Sequence, residues 1–501
     1  MQDSYDVIVV GSGLGGLVCA YILAKAGMKV AVLEKNPQIG GCLQTFSRQG
    51  IKFDTGMHYI GSMQKGQMLY RFFKYLHLLD DVTLQQLDPN GYDVIAFGSK
   101  RFQYANGYER YVDTLAGAFP DEYRNLKDYI SQIQNIADSS PLYNLRKINP
   151  NFFIEASYFR TGIYEFIASI TDNELLQNVL VGNAPLFAGI KDKTPLYTYA
   201  LINNFYIQSA YRIVGGADII AKSLVTSICS FGGKVLANCE VDKFICDDTQ
   251  AQAVHLTNGE TFYGKAFISN VHPQVTMTMI DSHLIRHAYR ERIENLSNTI
   301  SNFTVYIKFK KHAVPYLNYN YYYYDKPDVW SCNNYEPSRW PENYLFMHQC
   351  SQLNPKFADS AEMIGYMHYK DVEAWQHTHI MNRGADYEAF KKDKAERMID
   401  KLAMSFPGIK DKIDAYWTST PLTYQNYTYT KDGAMYGIAH DKNNPAQTRI
   451  SERTKIPNLF FTGQNINSHG ILGVTIGALI TCAYLIGLPH IVRDILASEN
   501  E

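Results

Sequence analysis

Gly11-Ser12-Gly13-Leu14-Gly15-Gly16 puts glycines where a chain turning tightly from a strand into a helix would need them, and Glu34 follows eighteen positions after Gly16. Backbone N–H groups at such a turn bind phosphate, and a carboxylate at that distance binds ribose hydroxyls. The chemistry implied is the holding of a dinucleotide. Both flanks carry the elements that must position it. Tyr5–Val10 is β-branched and nearly uncharged, which predicts a buried strand; Leu17–Ala26 has helical spacing, and Lys29–Leu33 predicts a second strand. In that βαβ unit Gly11 makes the turn, Gly13 admits a pyrophosphate, and Gly16 lets helix and strand pack closely.

A second glycine pair follows in Gly40-Gly41-Cys42-Leu43-Gln44-Thr45, then Phe53-Asp54-Thr55-Gly56-Met57-His58-Tyr59-Ile60-Gly61. A nicotinamide dehydrogenase has no need of it, whereas a chain wrapping the diphosphate and ribityl side of a flavin does. This extended pattern resembles the FAD-binding flavoproteins of the amine oxidase and phytoene desaturase superfamily, with Asp54 and Gly56 matching its third-strand turn. The resemblance implies FAD as cofactor, held by Gly11, Ser12, Gly13, Leu14, Gly15, Gly16, Glu34, Lys35, Gly40, Gly41, Cys42, Leu43, Met57 and His58. Near the far end, Asn458–Asn465 predicts a strand breaking at Gly463, followed by His469-Gly470-Ile471-Leu472-Gly473-Val474-Thr475. The resemblance places Gly463, Asn465, Gly473, Val474 and Thr475 on the cofactor, although Asn465 stands where the superfamily has an acid. A third piece, from Gly215 through the predicted strand Lys234–Val241 to Pro273, would bring the Val241 backbone to the adenine.

The expected fold is therefore α/β: a discontinuous Rossmann-type FAD domain of the glutathione reductase and amine oxidase kind, from 1–66, 212–300 and 437–501. Inserted into it is an α+β substrate domain from 67–211 and 301–436. The first insert reads as mostly helical, with Leu126, Tyr129, Ile130 and Ile133 at helical spacing. The second predicts strands at Phe303–Phe309, Tyr319–Tyr324, Tyr344–Cys350 and Met363–Tyr369, making an antiparallel sheet, and a helix over Tyr387–Ser405. Tyr321–Tyr324 could line a lipid cavity or fill both faces of a strand. Ile471–Leu488 is apolar enough to suggest a membrane span, but its glycines and its place after a strand and turn predict a buried helix aimed at the flavin.

Among 501 residues the net charge is -2 and no Lys/Arg run occurs, which excludes a nucleic-acid partner. The eight cysteines form no CxxC pair, excluding the dithiol of disulfide reductases and predicting reduced thiols in a cytoplasmic protein. No second GxGxxG follows a strand, so no separate NAD(P)H domain is expected. Met1–Asp3 runs almost at once into the first strand, so no signal peptide is expected. His377 and His379 find no third ligand, and no metal is expected.

The resemblance narrows with Gly40–Phe46, Phe53–Gly61, Thr420-Pro421-Leu422-Thr423, Gly433-Ala434-Met435-Tyr436-Gly437 and Phe461-Thr462-Gly463-Gln464, which are similar to the retinol saturase family. Carotenoid isomerases and phytoene desaturase-like proteins are its relatives, and Cys42 stands where carotenoid desaturases carry a basic residue. The resemblance implies an FAD-dependent oxidoreductase that saturates or isomerises a C=C bond of a hydrophobic polyene. The proton would come from His58, Tyr59 or water. Cys42 has no evident base and reads as packing, while His469 reads as a residue near the flavin or the substrate mouth. The same architecture would also serve a desaturase, an amine-oxidase-like enzyme, or a non-catalytic prenyl-lipid binder. Expected partners are the hydrophobic substrate, an external electron donor and a peripheral membrane contact. That contact would lie between Tyr143 and Phe187, at Phe152, Phe153, Tyr158 and Phe159, unless these aromatics fill the core.

Overall fold

The computed structural model describes residues 4–140 and 156–499. Two seven-stranded sheets organise them. In the first, the Ser4–Val10 strand lies parallel between Val30–Leu33 and Thr261–Ser269, with Val7 level with both Val30 and Ala266. Lys234–Leu236 extends one side, and Leu459–Phe461 joins Thr261–Ser269 on the other. Stretches from the start, middle and end of the chain thus share one sheet. Val7–Val10 and Val30–Leu33 are buried on both faces, the pattern of parallel strands covered by helices on each side.

The Leu14–Lys25 helix is buried almost all round because it packs against Asp218–Ser230 as well as Gly470–Ile486. The expected strand Lys234–Val241 is two strands, Lys234–Leu236 and Val241–Cys246. The second turns back to pair antiparallel with Ala251–Leu256. The apolar stretch after His469 forms one helix, Gly470–Ile486, ended at Gly487. Among the described residues no helix is long and apolar enough to cross a membrane.

The second sheet runs in the order Ile413–Ser419, Ser301–Phe309, Ser360–Met367, Asn343–His348, Asn320–Tyr324, Asp93–Phe97, Lys100–Tyr104. The insert 67–211 is mostly helical, as expected, but it also carries a hairpin that was not expected: Asp93–Phe97, buried at all five positions, pairs with Lys100–Tyr104. One expectation needs correction here: the sheet is not wholly antiparallel, since Asn320–Tyr324 lies parallel to Asp93–Phe97. A five-residue apolar run carries no period that distinguishes strand from helix, so sheet pairing decides it. Tyr123–Asp138 and Leu196–Gln208 are helices, with Leu126, Tyr129, Ile130 and Ile133 all buried. Tyr321–Tyr324 fill both faces of their strand. Tyr321 and Tyr323 pack on Tyr344, while the Tyr324 hydroxyl donates to the Gly182 carbonyl at 2.7 Å.

Phe152 and Phe153 lie outside the described residues, as does Tyr143. Tyr158 and Phe159 are half-buried against the core of the second sheet, and Phe187 is inside that core.

Candidate functional site

A cleft runs over the C-terminal edge of the first sheet, where ligands of open α/β sheets bind. Its walls include Gly11, Gly13, Leu14, Gly15, Glu34, Lys35, Gly41, Cys42, Val241, Gly463, Asn465 and Val474, drawn from all three sheet-forming stretches. Backbone approaches backbone so closely here that side chains do not fit. A Cβ on Gly16 would lie 2.1 Å from the Gly11 carbonyl oxygen, and one on Gly15 would lie 2.9 Å from Gly463 Cα. Gly41, at φ +56°, leaves 2.9 Å between an added Cβ and Gly13 Cα. Asn270, missed by sequence reading, plugs this junction; its amide nitrogen would sit 2.8 Å from a Cβ on Gly13.

Ser12 is buried behind the cleft and acts as a brace. Its N–H and hydroxyl both donate to Glu34 Oε2, at 3.0 and 2.6 Å, and its hydroxyl oxygen accepts the Gly40 N–H at 3.1 Å. The other Glu34 oxygen accepts from the Asn36 N–H. A carboxylate has about four lone-pair directions and three are taken, so Glu34 can still accept one ribose hydroxyl. Gly16, Gly473 and Thr475 are not walls of the cleft. Gly16 is a packing position, and a Cβ on Gly473 would press on Ser468 at 2.7 Å. Thr475 returns its hydroxyl to the Ile471 carbonyl at 2.7 Å. Asn465, in place of an acid, accepts the Ile438 N–H at 3.0 Å through its amide oxygen.

The end of the Pro421–Thr428 helix and the turn after it close the Glu34 and Val241 end of the cleft, another feature the sequence did not announce. Tyr427–Thr430 line the cleft there. Lys35 Nζ donates to the Asn426 carbonyl at 2.8 Å and stands 4.1 Å above the Tyr429 ring. A nucleotide at one end, a diphosphate over N–H groups and an apolar ring at the other is the layout this cleft accommodates, and FAD fits it.

Leu14, Cys42, Gln464 and Val474 also wall a second cavity, so the two are continuous. This cavity, about 180 Å³, reaches between the sheets. Gly40, Cys42, Leu43, Met57, His58 and Tyr59 line it from one side, and Leu345, Ile364 and Tyr366 from the second sheet. The N-terminus of the Gly470–Ile486 helix opens on it through Gly470 and Ile471, bringing the positive end of that helix dipole.

Inside this apolar lining one strong polar contact stands out. His58 Nδ1 is 2.8 Å from Glu362 Oε2, and Glu362 is fully buried in the Ser360–Met367 strand. Burial alone would lower the His58 pKa, but the charge and hydrogen bond of Glu362, aided by Asp54, raise it above its ordinary value. Burial, with Glu362 adding repulsion, pushes the Asp54 carboxyl up to about 7. Its Oδ1 accepts the Ala217 N–H at 2.8 Å. Sequence reading missed Glu362: the strand expected at Met363–Tyr369 starts at Ser360, which takes the acid into an apolar strand, the one signal that could have marked it.

The Tyr59 hydroxyl is committed to a buried chain, 2.8 Å from the Tyr322 hydroxyl and 3.2 Å from Asp93 Oδ2. Burial pushes Asp93 up to about 7 and Tyr59 well above its ordinary range. His469 differs from His58: burial lowers its pKa to about 4, and its Nε2–H donates to the Leu186 carbonyl at 3.0 Å while its ring stacks on Tyr436. Burial lifts the Cys42 thiol to about 11, which suits a wall rather than a nucleophile. His377 and His379 are exposed, and no cluster of three metal-ligating side chains occurs among the described residues.

The Thr420-Pro-Leu-Thr423 stretch is a capping box starting the Pro421–Thr428 helix, whose Tyr424 walls the cavity. In the Gly433–Gly437 stretch, Tyr436 donates to the Pro185 carbonyl at 2.9 Å, and Gly437 leaves room for the Asn465 amide.

Comparison with known proteins agrees with this geometry. The chain is 29% identical to an all-trans-retinol 13,14-reductase of Rattus norvegicus over 99% of its own length and 88% of that protein's. It is 25% identical to a chloroplastic prolycopene isomerase of an Oncidium hybrid cultivar, over 87% and 75% respectively. The fold matches an oxidoreductase from Methanosarcina mazei with a TM-score of 0.65 at 17% identity, covering 95% of this chain and 99% of that one. A sequence model of the flavin containing amine oxidoreductases spans residues 14–485. The chain is therefore an FAD-dependent oxidoreductase and belongs to the flavin containing amine oxidoreductase family.

Proposed function

We propose that this protein reduces or isomerises a carbon–carbon double bond of a hydrophobic polyene such as a retinoid or carotenoid. One observation carries the reading: the cofactor cleft ends in an apolar, aromatic cavity whose strongest polar contact is the His58–Glu362 pair. A polyene offers no group for a polar pocket, so orientation comes from shape and ring contacts. The similarity to a retinol reductase and a prolycopene isomerase supports the same substrate class.

Bound FAD supplies two-electron redox chemistry at its ring. Saturation adds a hydride equivalent to one carbon and a proton to its neighbour, and a separate reductant must restore the reduced cofactor. His58 is the proton donor in this scheme. Glu362 holds it protonated and fixes the ring through Nδ1, leaving Nε2 for the substrate side. Tyr59 contributes its place in the wall, with its hydroxyl in the Tyr322–Asp93 chain behind it. The helix beginning at Gly470 favours negative charge at the cavity. The apolar walls exclude water from the transfer. A protein of this kind would work from the cytoplasm with a peripheral contact on the membrane that stores its substrate.

Anaerobically reduced holoprotein mixed with all-trans-retinol and with lycopene isomers tests this. Expected are reoxidation of the flavin with a dihydro product, or geometric isomerisation without net oxidation. Neither product nor reoxidation across the panel, or bleaching of the oxidised flavin by the saturated compounds or by amines, would overturn it.

A further inference from the structure

Far along the chain, Arg449–Pro457 alternates between outside and inside. Ser451, Arg453 and Lys455 are exposed, while Glu452, Thr454 and Ile456 are buried. Arg292 and Tyr289, from the His287–Glu294 helix, face this edge across a recess of about 560 Å³ whose walls also include Arg449. Four cations therefore share one recess. Elsewhere lysines such as Lys222, Lys265, Lys401 and Lys442 are paired with carboxylates. Among the described residues, none of Arg292, Arg449, Arg453 and Lys455 makes such a pair. Arg292 donates to the Gln447 carbonyl at 2.7 Å, which fixes its head without neutralising it. The Tyr289 ring lies between Arg292 and Lys455, 5.4 and 5.5 Å from them. The nearby acid, Glu452, is turned inward, and burial raises its pKa.

A second recess of about 220 Å³ adjoins the first and shares Ala446 and Arg449 with it. Its character is different. Phe159 and Tyr197 pack their rings 4.6 Å apart along it, and burial brings His440 down to about 4, so near neutrality its charge comes only from Arg160 and Arg449 at its walls. Arg449 stands at the junction, its guanidinium 5.7 Å above the Phe159 ring.

A basic recess opening into an aromatic one is complementary to a molecule with an anionic head and an apolar chain. We propose that a phosphate-headed lipid binds here, its phosphate among Arg292, Arg449, Arg453 and Lys455 and its chain along Phe159 and Tyr197. Arginine forks match phosphate oxygens, and several cations in one recess gain most from a phosphate, which relieves their mutual repulsion. A free inorganic phosphate would use only the first recess. The proposal is independent of the reaction in the flavin cavity.

The test uses flavin-loaded protein with four probes: inorganic phosphate, monomeric short-chain phosphatidylglycerol, farnesyl monophosphate, and vesicles of phosphatidylcholine with or without phosphatidylglycerol. At least one phosphate-headed lipid should bind more tightly than inorganic phosphate. Vesicle capture identifies a bilayer source, and binding of farnesyl monophosphate alone a free prenyl phosphate. R453Q/K455Q should weaken lipid binding about twenty-five-fold, at roughly fivefold per cation. F159S should weaken the lipids while leaving inorganic phosphate unchanged. A control with the same charge loss elsewhere, K127Q/K243Q, should change neither, and an unaltered flavin spectrum shows that each variant is folded. Equal weakening by the two double variants, or lipids binding no better than inorganic phosphate, would overturn the proposal.

Discussion

The cofactor cleft and the cavity at its end are parts of one channel built by opposite means. The cleft is shaped by main chain: Gly15 lies against Gly463 and Gly41 against Gly13, and behind them Gly16 against the Gly11 carbonyl, each too close for a single Cβ. The cavity is shaped by side chains: His58 on Glu362, Tyr59 on Tyr322 and Asp93, His469 on Tyr436. Main chain can be varied little without losing the bound group, whereas side chains can be exchanged one at a time to change substrate or direction. That division explains how one fold can serve substrates of different kinds.

The sharpest way to break this contrast is Gly16→Val. Its Cβ would meet the Gly11 carbonyl, at a cost at or above the roughly 3 kcal/mol of severe overpacking. The isolated protein should be colourless and unable to take up FAD; a yellow variant would refute the main-chain account. Next comes Glu362→Gln, which keeps a hydrogen bond to His58 but removes the charge. Flavin content should be unchanged while reduction of the polyene falls about a hundredfold to ten-thousandfold, the range of general acid catalysis. The sign with pH follows from a raised His58 pKa: activity is full below it and lost as pH rises through it. In Glu362→Gln that loss should move to lower pH, and a profile that does not move would remove Glu362 from the scheme.

Asn465→Ala leaves the Ile438 N–H without its acceptor, a loss of about 1–3 kcal/mol visible in thermal melts. Asn465→Asp should restore most of it, because a carboxylate oxygen can accept the same N–H. A smaller effect is expected from Asp54→Asn. The wild-type carboxyl is raised to about 7 when folded. Its contribution is therefore complete below the unfolded value near 4 and is lost as pH rises through about 7. The variant, immune to that loss, should gain on the wild type as pH rises from 4 to 7, read from Tm. Smallest of all, iodoacetamide at neutral pH should leave Cys42 unmodified, consistent with a thiol held near 11.

Legibility followed the same division. A glycine turn, a strand and an acid at a fixed distance are local, so the βαβ unit and the cofactor could be read from the chain. Glu362 was not singled out, because the strand expected at Met363–Tyr369 begins one residue after it and its partner His58 lies in a different segment; only the pairing of Ser301–Phe309 with Ser360–Met367 brings the acid inward. Asp93-Val-Ile-Ala-Phe97 was hidden among helical patterns because a short apolar run suits either element. Its parallel neighbour Asn320–Tyr324 depends on contacts that no local pattern encodes. Thr420–Thr423 and Gly433–Gly437 were recognisable by resemblance, but their task, seating Tyr424 and Tyr436 at the cavity, emerged only from the fold.

The chain between Asn426 and Thr430, arriving from the second sheet, clasps Lys35 and Asn36 of the first across the nucleotide end. Whatever fills the cleft is thereby gripped by both halves at once. Loading should tie their unfolding into a single cooperative event, and stripping should let the clasp open before either sheet melts. In a cell short of riboflavin, that hinge of the molecule would be the first place a protease finds.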